Sequence, residues 1–357
     1  MTDFESRAGI QYPNGAGRLP PITAPAGRTR KPPVPSPAAS LAPEPSPEPS
    51  PEPPAAREIT DPSLAPGQDV WDRRVANGLA FLRRRLTGAY EVDEFGFDQE
   101  LTDGVFFPLL RRLYQDWFRI EVEGIQNLPA NGPALVVANH SGVVAMDALM
   151  LTVAVHDEHP AHRYLRLLGA DLVFRVPFIS ELARKHGSTL ACNPDAERLL
   201  GDGELVGVFP EGFKGVGKPY RDRYKLQRFG RGGFVSAALR TGTPIIPVSI
   251  VGAEEIYPMI GNIKPLARLL GWPYFPVTPT FPWLGPLGMI PLPSKWLISF
   301  GTPIETTGRA EQADDPAVVF NLADQVRETI QQTLYRLLEQ RDRDGGDAPG
   351  ASGTPGR

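Results

Sequence analysis

The sequence predicts an α/β fold in which helices flank a mixed, largely parallel sheet. Short segments of nearly continuous apolar residues alternate along the chain with segments whose apolar residues recur at helical spacing. Apolar strands of this kind are typical of parallel sheets whose two faces are both covered by helices. Amphipathic helices are expected to precede this alternating part of the chain.

The alternation begins near residue 133 and continues almost to the end of the chain. Strands are predicted at residues 133–139, 164–169, 204–209, 245–251 and 296–300. Helices are predicted at residues 142–155, 178–185, 232–240 and 317–340. The last helix is the longest, and its apolar face is expected to pack on the core.

Two amphipathic helices are predicted before the sheet, at residues 69–86 and about 105–120. Both carry an apolar stripe with arginines beside it, and the second stripe is wide and aromatic, from Phe106 to Phe118. A wide apolar face with basic flanks suits the lipid headgroup boundary, but it also suits packing against a core. The sequence leaves both interpretations open.

Composition separates the two ends of the chain from its middle. Residues 1–67 are dominated by Pro, Ala, Ser and charge, and they include the repeat PEPSPEPSPEP at residues 43–53. Such a segment cannot bury enough apolar surface to order itself, so a disordered, Pro-rich arm is predicted there. Residues 341–357 are predicted to form a disordered tail for the same reason. One folded domain is therefore expected at residues 68–340.

Charge, cysteine content and hydropathy exclude several classes of protein. A net charge of −4 argues against a nucleic-acid binder, because no basic excess is available to neutralise phosphates. The single cysteine, Cys192, excludes an internal disulfide and a cysteine-based zinc site, and it is expected to be structural. The sequence contains no run of about 18 apolar residues, so no membrane-spanning helix is predicted. A secretory signal peptide is not predicted either. The protein is therefore predicted to be cytoplasmic, and peripheral at the inner face of the cell membrane.

One segment near the end of the core is unusual. Residues 269–293 are rich in proline and in bulky apolar side chains, and the repeated prolines preclude a long helix. The segment is predicted to be an apolar loop without regular structure. It suits a lid or an element that dips into a membrane, and equally a buried irregular connection.

Two motifs carry chemistry. His140 and Asp147 lie in the run ANHSGVVAMD, directly after a predicted strand. A histidine that a carboxylate orients is what an enzyme needs to take a proton from a hydroxyl near neutral pH. About seventy residues later, Phe209-Pro210-Glu211-Gly212 ends another predicted strand, and it places a carboxylate and a permissive glycine at the mouth of the same sheet.

Four blocks stand in the order that is found in the glycerolipid acyltransferase family, which includes the 1-acylglycerol-3-phosphate acyltransferases. The blocks begin at Asn139-His140, Phe174-Arg175, Phe209-Pro210-Glu211-Gly212 and Pro244. The resemblance implies transfer of a fatty acyl group from acyl-CoA or acyl carrier protein to a glycerolipid hydroxyl, with a lysophosphatidate-like acceptor as the first expectation. It implies no cofactor, since the acyl donor is a substrate.

The resemblance also implies a role for each matching residue. His140 is expected to be the general base, and Asp147 to fix the tautomer of its ring. Arg175 is expected to hold the acceptor phosphate through its fork of donors. In the third block, Glu211 is expected to contact the acceptor and Gly212 to permit close approach of the backbone. The remaining substrate-binding residues implied by the resemblance are Lys214 and, near the acyl donor, Pro247.

The sequence departs from the family pattern at two places. Six residues separate His140 from Asp147, where four are usual, so a turn around Gly142 has to absorb two residues. Lys214 stands where the family has arginine, which keeps the charge but loses bidentate hydrogen bonding. Because of this second change, the sequence does not decide which headgroup the acceptor lipid carries. A neutral acceptor such as diacylglycerol is the alternative to a phosphorylated one.

The loop after Lys214 concentrates positive charge in an otherwise acidic protein. Its basic residues are Lys218, Arg221, Arg223, Lys225, Arg228 and Arg231. Such a loop attracts the phosphates of coenzyme A, acyl carrier protein or an anionic membrane, although a solvated loop has the same composition.

Two other functions fit parts of the sequence. A non-catalytic, membrane-surface lipid-binding protein on the same fold would follow if the longer spacing separated His140 from Asp147. A metal-dependent hydrolase would use His156, His159 and His162, with Asp157 and Glu158 beside them. These histidines surround a proline in a predicted turn, which is a poor setting for fixed ligand geometry.

Overall fold

The computed structural model describes residues 68–230 and 232–346. The predicted arm at residues 1–67 and the end of the predicted tail at residues 347–357 lie outside the described residues. The compact unit that contains the sheet begins at Arg73. Among the helices of the described residues, none is long and apolar enough to cross a membrane.

Within residues 68–230 and 232–346, seven strands form one sheet and two more form a small antiparallel hairpin. In chain order the strands are β1 (Glu121–Glu123), β2 (Ala134–Ala138), β3 (Leu165–Gly169), β4 (Ser188–Leu190), β5 (Leu205–Val208), β6 (Ile245–Val251), β7 (Gly261–Asn262), β8 (Pro276–Val277) and β9 (Leu297–Phe300). The main sheet has the order β1-β9-β6-β2-β5-β3-β4. Every neighbouring pair in it is parallel except β6 and β9. This confirms the mixed, largely parallel sheet.

Eleven α-helices of the described residues surround the sheet. They are α1 (Gln68–Thr87), α2 (Gln99–Leu101), α3 (Phe107–Arg112), α4 (Met146–Glu158), α5 (Asp171–Arg175), α6 (Ile179–Lys185), α7 (Asn193–Gly201), α8 (Phe213–Val216), α9 (Gly233–Thr241), α10 (Lys264–Leu270) and α11 (Pro316–Gly346). One apolar cluster joins α3 and α4 to one face of the sheet, and a second joins α7, α9 and α11 to the other face.

The strands alternate their side chains between these two clusters. In β6, Ile246, Val248 and Ile250 belong to the α4 side, whereas Ile245 and Val251 belong to the α11 side. All seven residues of β6 are buried. Both faces are apolar because both are covered, which is why the strands read as continuous apolar runs.

The helix that was predicted at about residues 105–120 includes more residues than predicted, and it is not a regular α-helix throughout. It begins at Gln99, where the Asp98 side chain accepts a hydrogen bond from the Leu101 N–H, and it continues to Trp117 through two π-helical turns at Thr102–Phe106 and Leu113–Trp117. Phe107, Tyr114 and Phe118 are buried in the core, whereas Leu109 and Trp117 of the same predicted stripe are exposed. In α1, by contrast, the predicted apolar stripe of Leu79, Leu82 and Leu86 is exposed.

Two predicted helix boundaries are wrong. The helix expected from Gly142 begins at Met146, because Gly142 adopts a positive φ of 84° and residues 141–145 form a loop. The last helix does not end near Gln340, so the predicted tail starts too early. It runs to Gly346, and Arg341 pairs with Glu255 at 2.6 Å, which ties this turn to the domain.

The segment at residues 269–293 contains more regular structure than the sequence predicted. The last residues of α10, the strand β8 and a 3-10 turn at Gly285–Met289 fall within it. Irregular backbone connects these short elements, as the prolines require.

Candidate active site

The polar side chains of the site follow three neighbouring parallel strands. His140 comes two residues after β2, Glu211 comes three residues after β5, and Glu254 comes three residues after β6. Because β5, β2 and β6 are adjacent and parallel, their carboxyl ends meet at one edge of the sheet. We call His140, Asp147, Glu211, Lys218 and Glu254 the carboxyl-edge network.

His140 and Asp147 are joined directly. His140 Nδ1 lies 2.8 Å from Asp147 Oδ2, and Asp147 is fully buried. A carboxylate only accepts, so the neutral ring carries its proton on Nδ1 and leaves the Nε2 lone pair available. Nε2 has no hydrogen-bond partner among the described residues, and the His140 side chain is 15% exposed. A ring held in this way can accept a proton from a ligand at Nε2.

The loop between the two residues accommodates the longer spacing. Gly142 takes the positive φ that lets the chain turn, and Asp147 then falls in the first turn of α4. The Ser141 N–H donates to Asp147 Oδ2 at 2.8 Å, and the Ala148 N–H donates to Oδ1 at 2.8 Å. The backbone of the loop therefore fixes the carboxylate that orients His140.

Phe209 forms one wall beside the imidazole. Its ring centroid lies 4.6 Å from that of His140, at an angle of 38°. Tyr274 lies on the other side of the loop, where burial and the nearby charge of Asp147 raise the pKa of its hydroxyl to about 12. It is therefore a neutral hydrogen-bond donor near neutral pH.

Glu211 is turned inward rather than toward an open space. Its side chain is fully buried. The His140 N–H donates to Oε1 at 2.9 Å, and the Gln227 N–H donates to Oε2 at 2.7 Å. The sequence led us to expect contact with an acceptor hydroxyl, but both oxygens are already bonded to the protein. Glu211 thus links β5, the His140 backbone and the basic loop.

Lys218 connects Glu211 to a second buried carboxylate. Its Nζ lies 3.1 Å from Glu254 Oε1 and 3.7 Å from Glu211 Oε2, and its side chain is 2% exposed. Burial raises the pKa of Glu254 to about 7, although Lys218 and the Tyr224 N–H favour its charged form. In the sequence, Lys218 is one basic residue of the loop after Lys214, and no motif distinguishes Glu254. Position at the carboxyl end of a parallel strand could have identified Glu254.

The protein packs closely against its own backbone at Gly215, and the expected close approach of a ligand at Gly212 stays a prediction. Gly212 has a φ of 54° and precedes α8, but a Cβ there would meet nothing within 4 Å. At Gly215 a Cβ would lie 2.7 Å from the His140 carbonyl oxygen and 2.8 Å from Glu211 Cβ. Only glycine allows α8 to pack this closely against residues 139–145, the loop that contains His140 and that we call the catalytic loop.

The other three expected binding residues lie outside the network. Arg175 is at the end of α5, its side chain is 76% exposed, and its nearest carboxylate is Asp171 at 3.8 Å. Lys214 is exposed on α8 and forms no ion pair within the described residues. Both residues follow strands of the parallel set, so they lie on the carboxyl side of the sheet.

Pro247 is buried in β6, which is an interior strand rather than an edge. The Gly301 N–H donates to its carbonyl at 2.8 Å, next to the point where the pairing of β6 with β9 ends. The missing N–H of Pro247 is tolerated there because the ladder stops. The expected position of Pro247 near the acyl donor stays a prediction.

The three histidines considered for a metal have separate partners. His156 bonds to Asp157 at 2.9 Å, His159 Nε2 lies 3.2 Å from the Leu128 carbonyl oxygen, and His162 Nδ1 lies 2.8 Å from the His156 carbonyl oxygen. Across residues 68–230 and 232–346, no group of three or more His, Cys, Asp or Glu side chains is arranged to hold a metal ion.

The basic residues of the loop after Lys214 differ in their exposure. Lys218 is buried, whereas Arg221 and Lys225 are 85% and 67% exposed. The Arg228 guanidinium lies 5.7 Å from the centroid of the Phe320 ring on α11. Arg231 lies outside the described residues. Arg221 and Lys225 both lie near the Asp222 carboxylate, at 3.5 Å and 3.9 Å.

The acyltransferase family model matches residues 119–251. A Mycobacterium tuberculosis protein that is named only as uncharacterized is 65% identical over 268 residues, which is 75% of each chain. The 1-acyl-sn-glycerol-3-phosphate acyltransferase of Borreliella burgdorferi is 27% identical over 143 residues, covering 39% of this chain and 54% of that protein.

Among solved structures, the 1-acyl-sn-glycerophosphate acyltransferase of Thermotoga maritima has a TM-score of 0.44 at 20% identity, covering 65% of this chain and 77% of that one. The family match includes β2, β5 and β6 and all four motif blocks. The chain belongs to the glycerolipid acyltransferase family and is an acyltransferase.

Proposed function

We propose that the protein transfers a fatty acyl group from acyl-CoA or acyl carrier protein to the hydroxyl of a glycerolipid, with His140 as general base and Asp147 as its orienting partner. The observation that carries this proposal is the 2.8 Å contact between His140 Nδ1 and Asp147 Oδ2, with Nε2 unpaired among the described residues. A histidine in this arrangement suits the role of a general base that takes the proton of a hydroxyl group.

The reaction needs no covalent acyl-enzyme. His140 Nε2 accepts the acceptor's hydroxyl proton while the oxygen attacks the thioester carbonyl and forms the new ester bond. The carbon–sulfur bond breaks, and the thiolate leaves with the electron pair. The imidazolium then returns its proton to that thiolate. Asp147 stabilises the transient positive charge on the ring, because its carboxylate is buried and already bonded to Nδ1.

A phosphorylated acceptor such as lysophosphatidate is the first candidate. Arg175 and Lys214 lie on the carboxyl side of the sheet, where a phosphate would be held while the hydroxyl reaches His140. The name of the Borreliella relative specifies the same acceptor class.

A neutral acceptor such as diacylglycerol is the second candidate. Arg175 is largely exposed and lies near Asp171, and no arginine of the described residues bonds to the His140–Asp147 pair. A site without a fixed guanidinium discriminates weakly in favour of phosphate.

The purified protein tests both parts of the proposal. Acyl transfer from acyl-CoA and from acyl carrier protein is measured with lysophosphatidate, lysophospholipids and diacylglycerol as acceptors. We expect His140→Ala to lose transfer by a factor of about 10²–10⁴ while its circular dichroism and Tm stay unchanged. Transfer by His140→Ala at the unsubstituted rate would refute the general base. Preference for diacylglycerol would decide the acceptor in favour of the neutral class.

The proposed substrates are lipids, and we propose that the enzyme works as a peripheral protein at the inner face of the cell membrane. Its described helices include none that could span a bilayer. A peripheral enzyme would reach a lipid acceptor from the membrane surface.

A further inference from the structure

Residues 260–291, which we call the 260–291 segment, form a folded element beside the site. The short hairpin of β7 and β8 closes it, and the Phe275 N–H donates to Asn262 Oδ1 at 3.0 Å. Inside, Phe275 stacks on Trp272 with ring centroids 6.0 Å apart and packs on Phe281 at 5.5 Å. The segment therefore has its own small apolar centre and a defined outer surface.

That outer surface is strongly apolar. Its exposed large hydrophobic residues are Ile260, Ile263, Leu269, Leu270, Trp272, Trp283, Leu284, Leu287 and Ile290. Trp283 is 72% exposed and Leu287 is 68% exposed. Large apolar side chains that are exposed together mark a surface that meets another apolar phase or partner.

Positive charge accompanies these apolar side chains. Lys264 and Arg268 line a cavity of about 200 Å³ together with Asn262 and Trp272. Neither cation has an ion-pair partner among the described residues, so both can pair with an external anion. Tryptophan beside basic side chains is the composition that membrane–water interfaces select, because the ring prefers the headgroup level and the cations attract anionic lipids.

The segment also contacts the catalytic loop. The Tyr274 hydroxyl donates to the Val143 carbonyl at 3.3 Å. Val144 of the catalytic loop and Phe213 of α8 are themselves 36% and 41% exposed. Exposed apolar side chains therefore occur on the segment, on the loop that follows His140 and on α8, which packs against His140.

We propose that the 260–291 segment docks on an anionic lipid bilayer, with Trp283, Leu284 and Leu287 entering the boundary between headgroups and acyl chains. Lys264 and Arg268 hold the phosphates of neighbouring lipids in and around their cavity. The docked segment brings the catalytic loop to the bilayer. That docking delivers a lipid acceptor to His140 is the part of this inference that rests on the proposed function.

A second copy of this chain fits the surface less well than a bilayer does. In a two-fold dimer the same patch meets itself, which brings Lys264 and Arg268 of both copies together without a compensating carboxylate. An anionic membrane supplies the missing negative charge across the whole patch.

Vesicle co-sedimentation of the full chain tests the docking. The vesicles are phosphatidylcholine alone or phosphatidylcholine with phosphatidylglycerol, at low and high salt. We expect binding to the anionic vesicles that weakens with salt. Trp283→Ser with Leu287→Ser should reduce the partition coefficient at least about tenfold, since two large side chains no longer leave water. Lys264→Ser with Arg268→Ser should reduce it about tenfold or more on anionic vesicles only.

The matched control replaces two exposed side chains of α11. Phe320→Ser with Tyr335→Ser removes aromatic side chains that are 54% and 52% exposed, and it should leave vesicle binding unchanged. Equal binding by the Trp283/Leu287 variant and the unsubstituted protein would overturn the proposal. So would a concentration-dependent dimer that this variant abolishes, since the patch would then be an interface between copies.

Two further measurements separate docking from catalysis. His140→Ala should bind vesicles like the unsubstituted protein. The Trp283/Leu287 variant should retain transfer to a water-soluble, short-chain acceptor while losing transfer to acceptors in vesicles. If no acceptor is acylated and vesicle binding still depends on Trp283 and Leu287, the proposed function fails and the docking surface stands.

Discussion

The carboxyl-edge network and the 260–291 segment lie beside each other and have opposite designs. In the network, Asp147 and Glu211 are buried and all four of their carboxylate oxygens are hydrogen-bonded. In the segment, large apolar side chains are exposed and two cations have no ion-pair partner among the described residues. This difference agrees with the two proposals, in which the network fixes the position of a proton acceptor and the segment docks on a lipid surface.

The largest effect on folding is expected when the network loses its cation. Lys218→Met leaves Glu211 and Glu254 buried without their shared partner, and we expect the free energy of unfolding to fall by about 3–5 kcal/mol. Urea unfolding measures this. Lys295→Met is the matched control, because its pair with Glu121 is exposed and should contribute no more than about 1 kcal/mol. Equal losses in the two variants would contradict a special role for Lys218.

The network should also make stability depend on pH. Burial raises the pKa of Glu254 to about 7 from an ordinary value of 4.5, so the folded state binds the proton more tightly than the unfolded chain. This contribution is present below pH 4.5 and is lost as the pH rises through 7, for a change of about 3 kcal/mol.

Unfolding free energies measured between pH 4.5 and 8 test this assignment in the unsubstituted protein and in Glu254→Gln. The amide does not titrate, so the variant should lose this part of the fall in stability with rising pH. Identical pH profiles would show that another group is responsible.

A smaller effect is expected at the contact between α8 and the catalytic loop. Gly215→Ala places a methyl group 2.7 Å from the His140 carbonyl oxygen, so the loop or α8 must move, at a cost of about 1–3 kcal/mol. Acyl transfer should fall more than stability does, because the displaced loop carries the base.

The control for this substitution is Gly201→Ala at the end of α7. A Cβ there meets nothing within 4 Å, so this change should be neutral or slightly stabilising. Wild-type transfer rates in Gly215→Ala would show that the close contact does not position His140.

The sequence predicted the parts of the fold that local pattern determines. β2, β5 and β6 are apolar runs that are covered on both faces, and their limits agree with the prediction to within one or two residues. The adjacency of His140 and Glu211 followed from the rule that parallel strands end at one edge. Three-residue strands such as β1 and β4 contain too few residues to show a period, so they were missed. The start of α7 had a usable signal in Pro194, which stands in its first turn.

The site was less predictable, because its hydrogen bonds and ion pairs join residues that are far apart in the sequence and that only the fold brings together. The sequence identified Glu211, but only the structure shows that its oxygens are occupied by the His140 and Gln227 backbone. Lys218 resembles its basic neighbours in the sequence, and it is the only one in the Lys214–Arg228 stretch that the fold buries between two carboxylates. Which of several nearby cations meets a carboxylate cannot be read from local spacing.

The central claim is that Asp147 prepares His140 to accept a proton, and Asp147→Asn tests it most directly. Steady-state acyl transfer is compared among the unsubstituted protein, Asp147→Asn and His140→Ala, with Tm as the check on folding. We expect kcat to fall in Asp147→Asn by a smaller factor than in His140→Ala, with little change in KM, because the acceptor still binds but the ring loses its fixed tautomer and its counter-charge. An unchanged kcat in Asp147→Asn would contradict the account.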